Sequence, residues 1–372
     1  MFLQKLRLYN FKNHHEVTLG FESKINCFLG KNGSGKTNLL DAIYYLSFTK
    51  SAINPYDLQN INHGENGFLV KGVFDLAGKQ KEVVCSFQQG EKKIIREDGQ
   101  EGAKFSEHVG KYPVVLIAPQ DIELVWDGSE LRRRFFDSLI SQIDRVYLEN
   151  LIIYNHQLKQ RNSLLRAFAE QGKVDSVLLD TYDQKLAEAG GYIHQVRKEL
   201  LTKFLPQFKQ HYDFLVREQN EVADIQYKSD LLDFDFNSTL KRNFQRDLAL
   251  QRTTSGIHRD DFLFTLKGQE LKRVGSQGQQ KSFLIALKLT EFQTIAEKKA
   301  IKPLLLLDDI FDKLDDSRIH QLMQLVSQGT FGQMFITDAR KGRSEQILKE
   351  AGMNAQLFVL ENSTFKEEWL KT

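Results

Sequence analysis

The stretch FLGKNGSGKTNLL, residues 28–40, decides how the rest of the chain is read. Gly30, Gly35, Lys36 and Thr37 fit the pattern G-x-x-x-x-G-K-[ST], a glycine loop joining a strand to a helix. An apolar strand, KINCFLG, leads in. NLLDAIYYLSF follows, with Leu39, Leu40, Ile43, Tyr44 and Leu46 at helical spacing. Glycines let the backbone approach an anion closely, and a helix N-terminus offers unpaired N–H groups and the positive end of its dipole. Gly30, Lys31, Asn32, Gly33, Ser34, Gly35, Lys36 and Thr37 are therefore the expected cradle of a nucleoside triphosphate. Lys36 is expected to reach the β and γ phosphates, and the Thr37 hydroxyl to bind Mg2+.

Working outward, PLLLLDDIFDKLDD (303–316) reads as a buried strand delivering Asp308 and Asp309 to its carboxyl end, where α/β sheets hold ligands. Asp308 suits orientation of Mg2+ through water, and Asp309 suits polarisation of the attacking water. About 270 residues separate Lys36 from Asp308. Compact phosphate-loop enzymes bring these motifs much closer, whereas a core split by a large insertion marks the ABC-type ATPases. That class also needs a serine- and glycine-bearing signature shortly before the acidic strand. VGSQGQQKSFLIALKL supplies it in Ser276, Gln277, Gly278, Gln279 and Gln280, opening an apolar helix suited to a γ-phosphate held by the opposite subunit. In LIAPQDIELVWDG, Gln120 follows an apolar strand, where the class has its glutamine loop touching Mg2+ or the lytic water. Asp315 would belong to the loop that crosses to the partner subunit. Thr337 and Asp338, in MFITDAR, stand where many members carry a γ-phosphate-sensing histidine.

The chain has 372 residues, of which 41% are hydrophobic and 27% charged, within the range of an ordinary globular protein of two or three units. No apolar run approaches the length of a membrane span, and the opening MFLQKLRLYNFKNHH has no signal core, so a cytoplasmic protein is expected. Cys27 and Cys85 lie in strand-like apolar stretches and read as buried thiols. The net charge of +2 neither demands nor excludes nucleic acid. The expected fold class is α/β: an ABC-type core with an antiparallel β subdomain, interrupted by a mainly helical lobe. The expected boundaries are 1–120 for the first half of the core, 121–299 for the helical lobe with the signature, and 300–372 for the second half. Within the lobe, helical periodicity runs from Ser129 to about Ala169 and again from about Val174 to Leu205, where Pro206 is expected to end it.

The segments LRLYNFKNHHEVTLGF, RRRFFD, QRNSLL, HRDD and GSQGQQKSFLIALKL resemble the RecF family of bacterial recombination-mediator ATPases, and the resemblance spans nearly the whole chain. It implies an ATP-dependent DNA-binding protein with Mg2+ that forms a homodimer around ATP. It also implies recognition of gapped or single-strand/double-strand junction DNA. With RecO and RecR as partners, such a protein helps load RecA in gap repair, replication recovery and the SOS response, and its ATPase is slow and DNA-stimulated. Three departures stand out. Ile257 replaces the family's usual proline, Asp41 its usual glutamate, and Ala52 and Ile53 the basic residue after TKS.

Arg132, Arg133 and Arg134 are candidate DNA contacts, with Lys159, Arg161 and Lys203 behind them. Three consecutive helical residues fan around the axis, so a helix start held by a structural ion pair is an equal reading. His258 to Asp261 (HRDD) reads as a structural or interlobe network rather than a metal site. The competing functions are the ATPase subunit of an ABC transporter, a chromosome-organising SMC-like ATPase and a small-molecule kinase. The transporter expects a Leu-Ser-Gly-Gly-Gln signature and a switch histidine; the SMC-like protein expects long arms. The kinase expects closely spaced motifs.

Overall fold

The computed structural model describes residues 1–102, 104–216, 221–231, 235–313, 316–361 and 364–371. The N-terminal part of the chain carries β1 (Phe2–Phe11), β2 (His14–Gly20), β3 (Ile25–Gly30), α1 (Lys36–Phe48), β4 (Gly67–Leu76), β5 (Lys79–Gln88), β6 (Ile94–Glu97), β7 (Gln100–Glu101) and β8 (Val114–Ile117). The middle carries α2 (Glu123–Trp126), α3 (Ser129–Ile143), α4 (Arg145–Gln171), α5 (Ser176–Val216), β9 (Ala223–Lys228), α6 (Phe236–Leu250), β10 (Asp261–Leu266), β11 (Gln269–Glu270), α7 (Leu271–Val274) and the start of α8 (Gln277–Lys299). The C-terminal part carries β12 (Leu304–Leu307), α9 (Ile310–Lys313), α10 (Asp316–Ser327), β13 (Met334–Asp338), α11 (Lys341–Glu350), β14 (Ala355–Glu361) and β15 (Thr364–Leu370).

Two compact units result: residues 1–121 with 284–372, and residues 122–283. The second boundary differs from the expected 299/300. It falls inside α8, because the apolar residues Leu284, Ile285, Leu287 and Leu289 are buried with the first unit rather than ending the second.

The first unit holds two six-stranded sheets, ordered β2-β1-β4-β5-β6-β7 and β15-β14-β3-β13-β12-β8. The former is antiparallel throughout. Alternation in β1 buries Leu3, Leu6 and Leu8, and a register shift between Leu3 and Lys5 absorbs the two consecutive polar residues. In the other sheet β14, β3, β13, β12 and β8 run parallel, and β15 closes one edge antiparallel. All four leucines of β12 are buried, as a strand covered on both faces requires. Helix α1 touches strands of both sheets and buries ten of its thirteen residues.

In the second unit the expected long helix from Ser129 is two. Asp144 takes extended angles and caps α4 through the Tyr147 N–H. Pro206 does not end α5, which runs on to Val216. Interior proline costs about 3 kcal/mol, but the buried stripe Leu200, Phe204, Phe208, Tyr212, Leu215 continues through it and offsets that cost. The small sheet β11-β10-β9 was not expected from the sequence. No helix among the described residues is long and apolar enough to cross a membrane.

Candidate nucleotide-binding site

Strand β3 ends at Gly30, and the chain turns through Gly33 (φ +80°) and Gly35 (φ +103°) into α1. Positive φ at these two positions favours glycine, and it brings the backbone round toward the helix N-terminus. Lys36 folds back and donates to the carbonyls of Gly30 (2.7 Å) and Lys31 (2.9 Å). Burial pulls its ammonium below the ordinary lysine range, opposed by the charges of Asp309, Asp308 and Asp338. The Ser34 hydroxyl is buried with no hydrogen-bond partner among the described residues.

The parallel register puts the acidic pair beside this loop. Asp308 follows β12, and its N–H donates to Ile117 at the end of β8 (2.8 Å). The Thr37 hydroxyl donates to Asp308 Oδ1 (2.9 Å), joining motifs that lie far apart in sequence. The Thr337 hydroxyl, on β13, donates to the same oxygen (2.7 Å) and accepts the Asp309 N–H (2.9 Å). Asp309 has φ +49°, and its buried Oδ1 has no hydrogen-bond partner among the described residues. Asp338 is fully buried and bonded to the start of α11, through the Arg340 N–H and the Ser344 hydroxyl. Gln120 is exposed on the short turn after β8, at the carboxyl edge shared with Asp308. Its neighbour Asp121 caps that turn at the Ala118 N–H and pairs with buried Lys288 (3.3 Å).

Sequence reasoning missed Asn13 and His14. Asn13 donates to the Ser34 carbonyl (3.1 Å) and accepts from Asn38 (2.7 Å), while His14 Nε2 donates to the Gly35 carbonyl (3.0 Å). No periodicity points to such turn residues; only their place in the NFKNHH segment could have flagged them. Asp41 holds Lys12 (2.6 Å), Ser51 Oγ (2.7 Å) and the Ala52 N–H (2.7 Å), so aspartate satisfies this position locally.

In the second unit, Ser276 caps α8 reciprocally with Gln279. The serine Oγ accepts the Gln279 N–H (3.2 Å), and Gln279 Oε1 accepts the Ser276 N–H (2.7 Å). Ser276 and Gln277 are exposed, Gly278 and Gln279 are half-buried, and Gln280 is buried, donating to Gly275 O (2.9 Å). Asp315 lies outside the described residues.

The arginine turn divides. Arg132 is buried, forking onto Asp261 (2.7 and 3.0 Å) and donating to the carbonyls of Leu124 and Asp127. Arg133 donates to Ser129 Oγ and the Asp260 carbonyl, both at 2.6 Å. Arg134 alone is well exposed, paired to Glu130 one turn back. Arg161 is fully buried between Asp183 and Asp247, which removes it from the candidate DNA contacts. The HRDD run joins this internal network. Asp260 pairs with Arg197, while His258 meets Tyr154 OH at Nδ1 (2.7 Å) and the Thr253 carbonyl at Nε2 (3.1 Å). A carbonyl only accepts, so Nε2 carries the proton; burial pushes the His258 pKa down to about 4.

A parallel sheet that brings a phosphate loop and an acidic strand end together, in a core split by an inserted helical unit, defines an ATPase head of the ABC/SMC class. Residues 2–362 match the family model described as the RecF/RecN/SMC N terminal domain. Proteins called DNA replication and repair protein RecF are similar over nearly the whole chain. That of Flavobacterium johnsoniae is 44% identical over 97% of this chain and all of its own length. That of Cytophaga hutchinsonii is 43% identical over 99% of this chain and 97% of its own. Among solved structures, the recombination mediator protein RecF-ATPrS in the RecFOR pathway superposes with a TM-score of 0.88 at 29% identity, covering 98% of both chains. An SMC head bound to the C-winged helix domain of ScpA (TM-score 0.57, 14% identity, 100% of this chain and 98% of its own) shares the fold alone. The chain belongs to the RecF family.

Proposed function

We propose that the protein is an ATP-gated DNA clamp. The observation that carries this reading is the meeting of Thr37, Asp308 and Thr337 hydroxyl and carboxyl oxygens beside the Lys36 loop. Hard oxygen donors of this kind suit Mg2+, which keeps one or two protein oxygens and takes the rest from phosphates and water. Thr37 and Asp308, with Gln120, are the residues that would hold it; bound there, it would neutralise phosphate charge. The loop amides and Lys36 bind the triphosphate. Asp309 accepts a proton from water as the water oxygen bonds to the γ-phosphorus; the bond to the β–γ bridging oxygen breaks, and ADP leaves with the electron pair. Exposed Ser276, at the N-terminus of α8, supplies the γ-phosphate contact from a second copy of the chain, so ATP closes the dimer and slow, DNA-stimulated hydrolysis opens it.

The relatives' names and the RecFOR structure support a role in DNA replication and repair alongside RecO and RecR. The finer reading, a cytoplasmic protein on gapped or junction DNA that promotes RecA loading, replication recovery and SOS induction, is what the family resemblance implies. Sedimentation of the full chain with and without ATP–Mg2+ and a gapped duplex tests it. A monomer-to-dimer shift that needs ATP and is strengthened by DNA is expected. A monomer unmoved by either refutes the clamp.

A further inference from the structure

We propose that Thr337 is a positioning residue for ATP hydrolysis, one hydroxyl fixing both members of the acidic pair. A hydroxyl has one proton to give and lone pairs to receive with. Thr337 gives its proton to Asp308 Oδ1 (2.7 Å) and receives the Asp309 N–H (2.9 Å). At 1% exposure it has no competing water. Asp308 Oδ1 also takes the Thr37 hydroxyl, so the carboxylate is held by side chains from β13 and α1 together.

The second bond matters more. Asp309 sits at φ +49°, a left-handed conformation that a non-glycine residue keeps only where its surroundings impose it. The Thr337 oxygen is the partner on the adjacent strand that anchors the Asp309 N–H there. The same residue's buried Oδ1 has no hydrogen-bond partner among the described residues, an acceptor left open where the hydrolysis reading places the water's proton. Asp338, one residue on, does not share this role: its oxygens accept from the Arg340 N–H and the Ser344 hydroxyl at the start of α11, and a carboxylate has no proton to give Asp308. The switch position is therefore divided: the aspartate anchors a helix, and the threonine sets the geometry of the acids.

The inference rests on Asp309 activating water, so Asp309→Asn is measured alongside. Thr337→Val keeps the shape and removes both bonds. Turnover is expected to fall roughly ten- to a hundredfold, while KM and the affinity for a non-hydrolysable ATP analogue stay within about threefold, because Lys36 and the phosphate loop are untouched and the Thr37 hydroxyl still holds Asp308 Oδ1. Thr337→Ser should restore turnover to within about threefold of the parent. Wild-type turnover in Thr337→Val with Asp309→Asn inactive overturns this inference and leaves the hydrolysis reading standing. Wild-type turnover in Asp309→Asn overturns both. Should Thr337→Val and Thr337→Ala both fail to fold, or Thr337→Ser fail to rescue, the residue is structural and the proposal is wrong.

Discussion

Arg132→Met separates two roles for the arginine turn. The guanidinium makes four bonds: 2.7 and 3.0 Å to the Asp261 carboxylate, 2.9 Å to the Asp127 carbonyl and 3.2 Å to the Leu124 carbonyl. Breaking a buried pair from one side costs about 3–5 kcal/mol, chiefly because the abandoned charge stays desolvated. The Asp261 side chain is 23% exposed and recovers some water, so the lower end of that range, about 3 kcal/mol, is expected. In urea this is a midpoint shift of about 1 M or more at an ordinary denaturant slope. Arg132→Met/Asp261→Asn should cost less than the two single changes summed, by at least about 1.5 kcal/mol. Arg134→Gln, whose partner Glu130 is as exposed as itself, should change stability by under about 0.5 kcal/mol. Gapped-duplex binding across salt concentrations completes the assay. A lost phosphate contact lowers the log–log salt slope by about one, and Arg132→Met should leave it unchanged. A stability cost under about 1 kcal/mol together with a lost unit of slope would return Arg132 to the DNA surface and refute the internal assignment.

Two further outcomes follow from the same geometry. Ser276→Arg puts a long cation at the exposed start of α8, so ATP-driven dimerisation measured by sedimentation should disappear while ATP binding to the monomer survives; loss of monomer binding would place the serine in the wrong half-site. His258 is held neutral, with a pKa of about 4 against an ordinary 6.5. The unfolded chain therefore takes up a proton first: the contribution is complete above 6.5, is lost as pH falls toward 4, and amounts to roughly 3 kcal/mol. Buried His14, His108 and partly buried His194 act in the same direction, so His258→Asn should flatten only part of the acid slope in denaturation midpoints; an unchanged slope contradicts the assignment.

The phosphate loop and acidic strand were legible because their chemistry is written in consecutive residues. The glycines need particular backbone angles, and Leu304 to Leu307 announce a strand buried on both faces. Core and insertion were legible from motif spacing. What escaped notice was set by contact between distant segments. Asn13 and His14 lie in a turn whose pattern says nothing of what it covers. The sheet β9–β11 is short and surrounded by helical text, and Pro206 broke a local rule because the burial either side outweighs it. Charge was the least legible property of all. Arg161, a candidate DNA contact in the sequence, is fully buried, as is Arg197, and Arg132 is buried with them.

The order of strands in the parallel sheet also constrains the protein's birth. Strand β3, which ends in the phosphate loop, lies between β13, which begins at Met334, and β14, which begins at Ala355. At ordinary synthesis rates the strand waits between about 15 and 60 s for its neighbours to be made. The unit spanning residues 122–283 comes from one uninterrupted stretch and can close its own core during that interval. The stretch that forms the inserted helical unit is thus complete before β13 and β14, the strands that flank the phosphate-loop strand, have been made. A truncated or stalled product has the loop sequence without the sheet that shapes it.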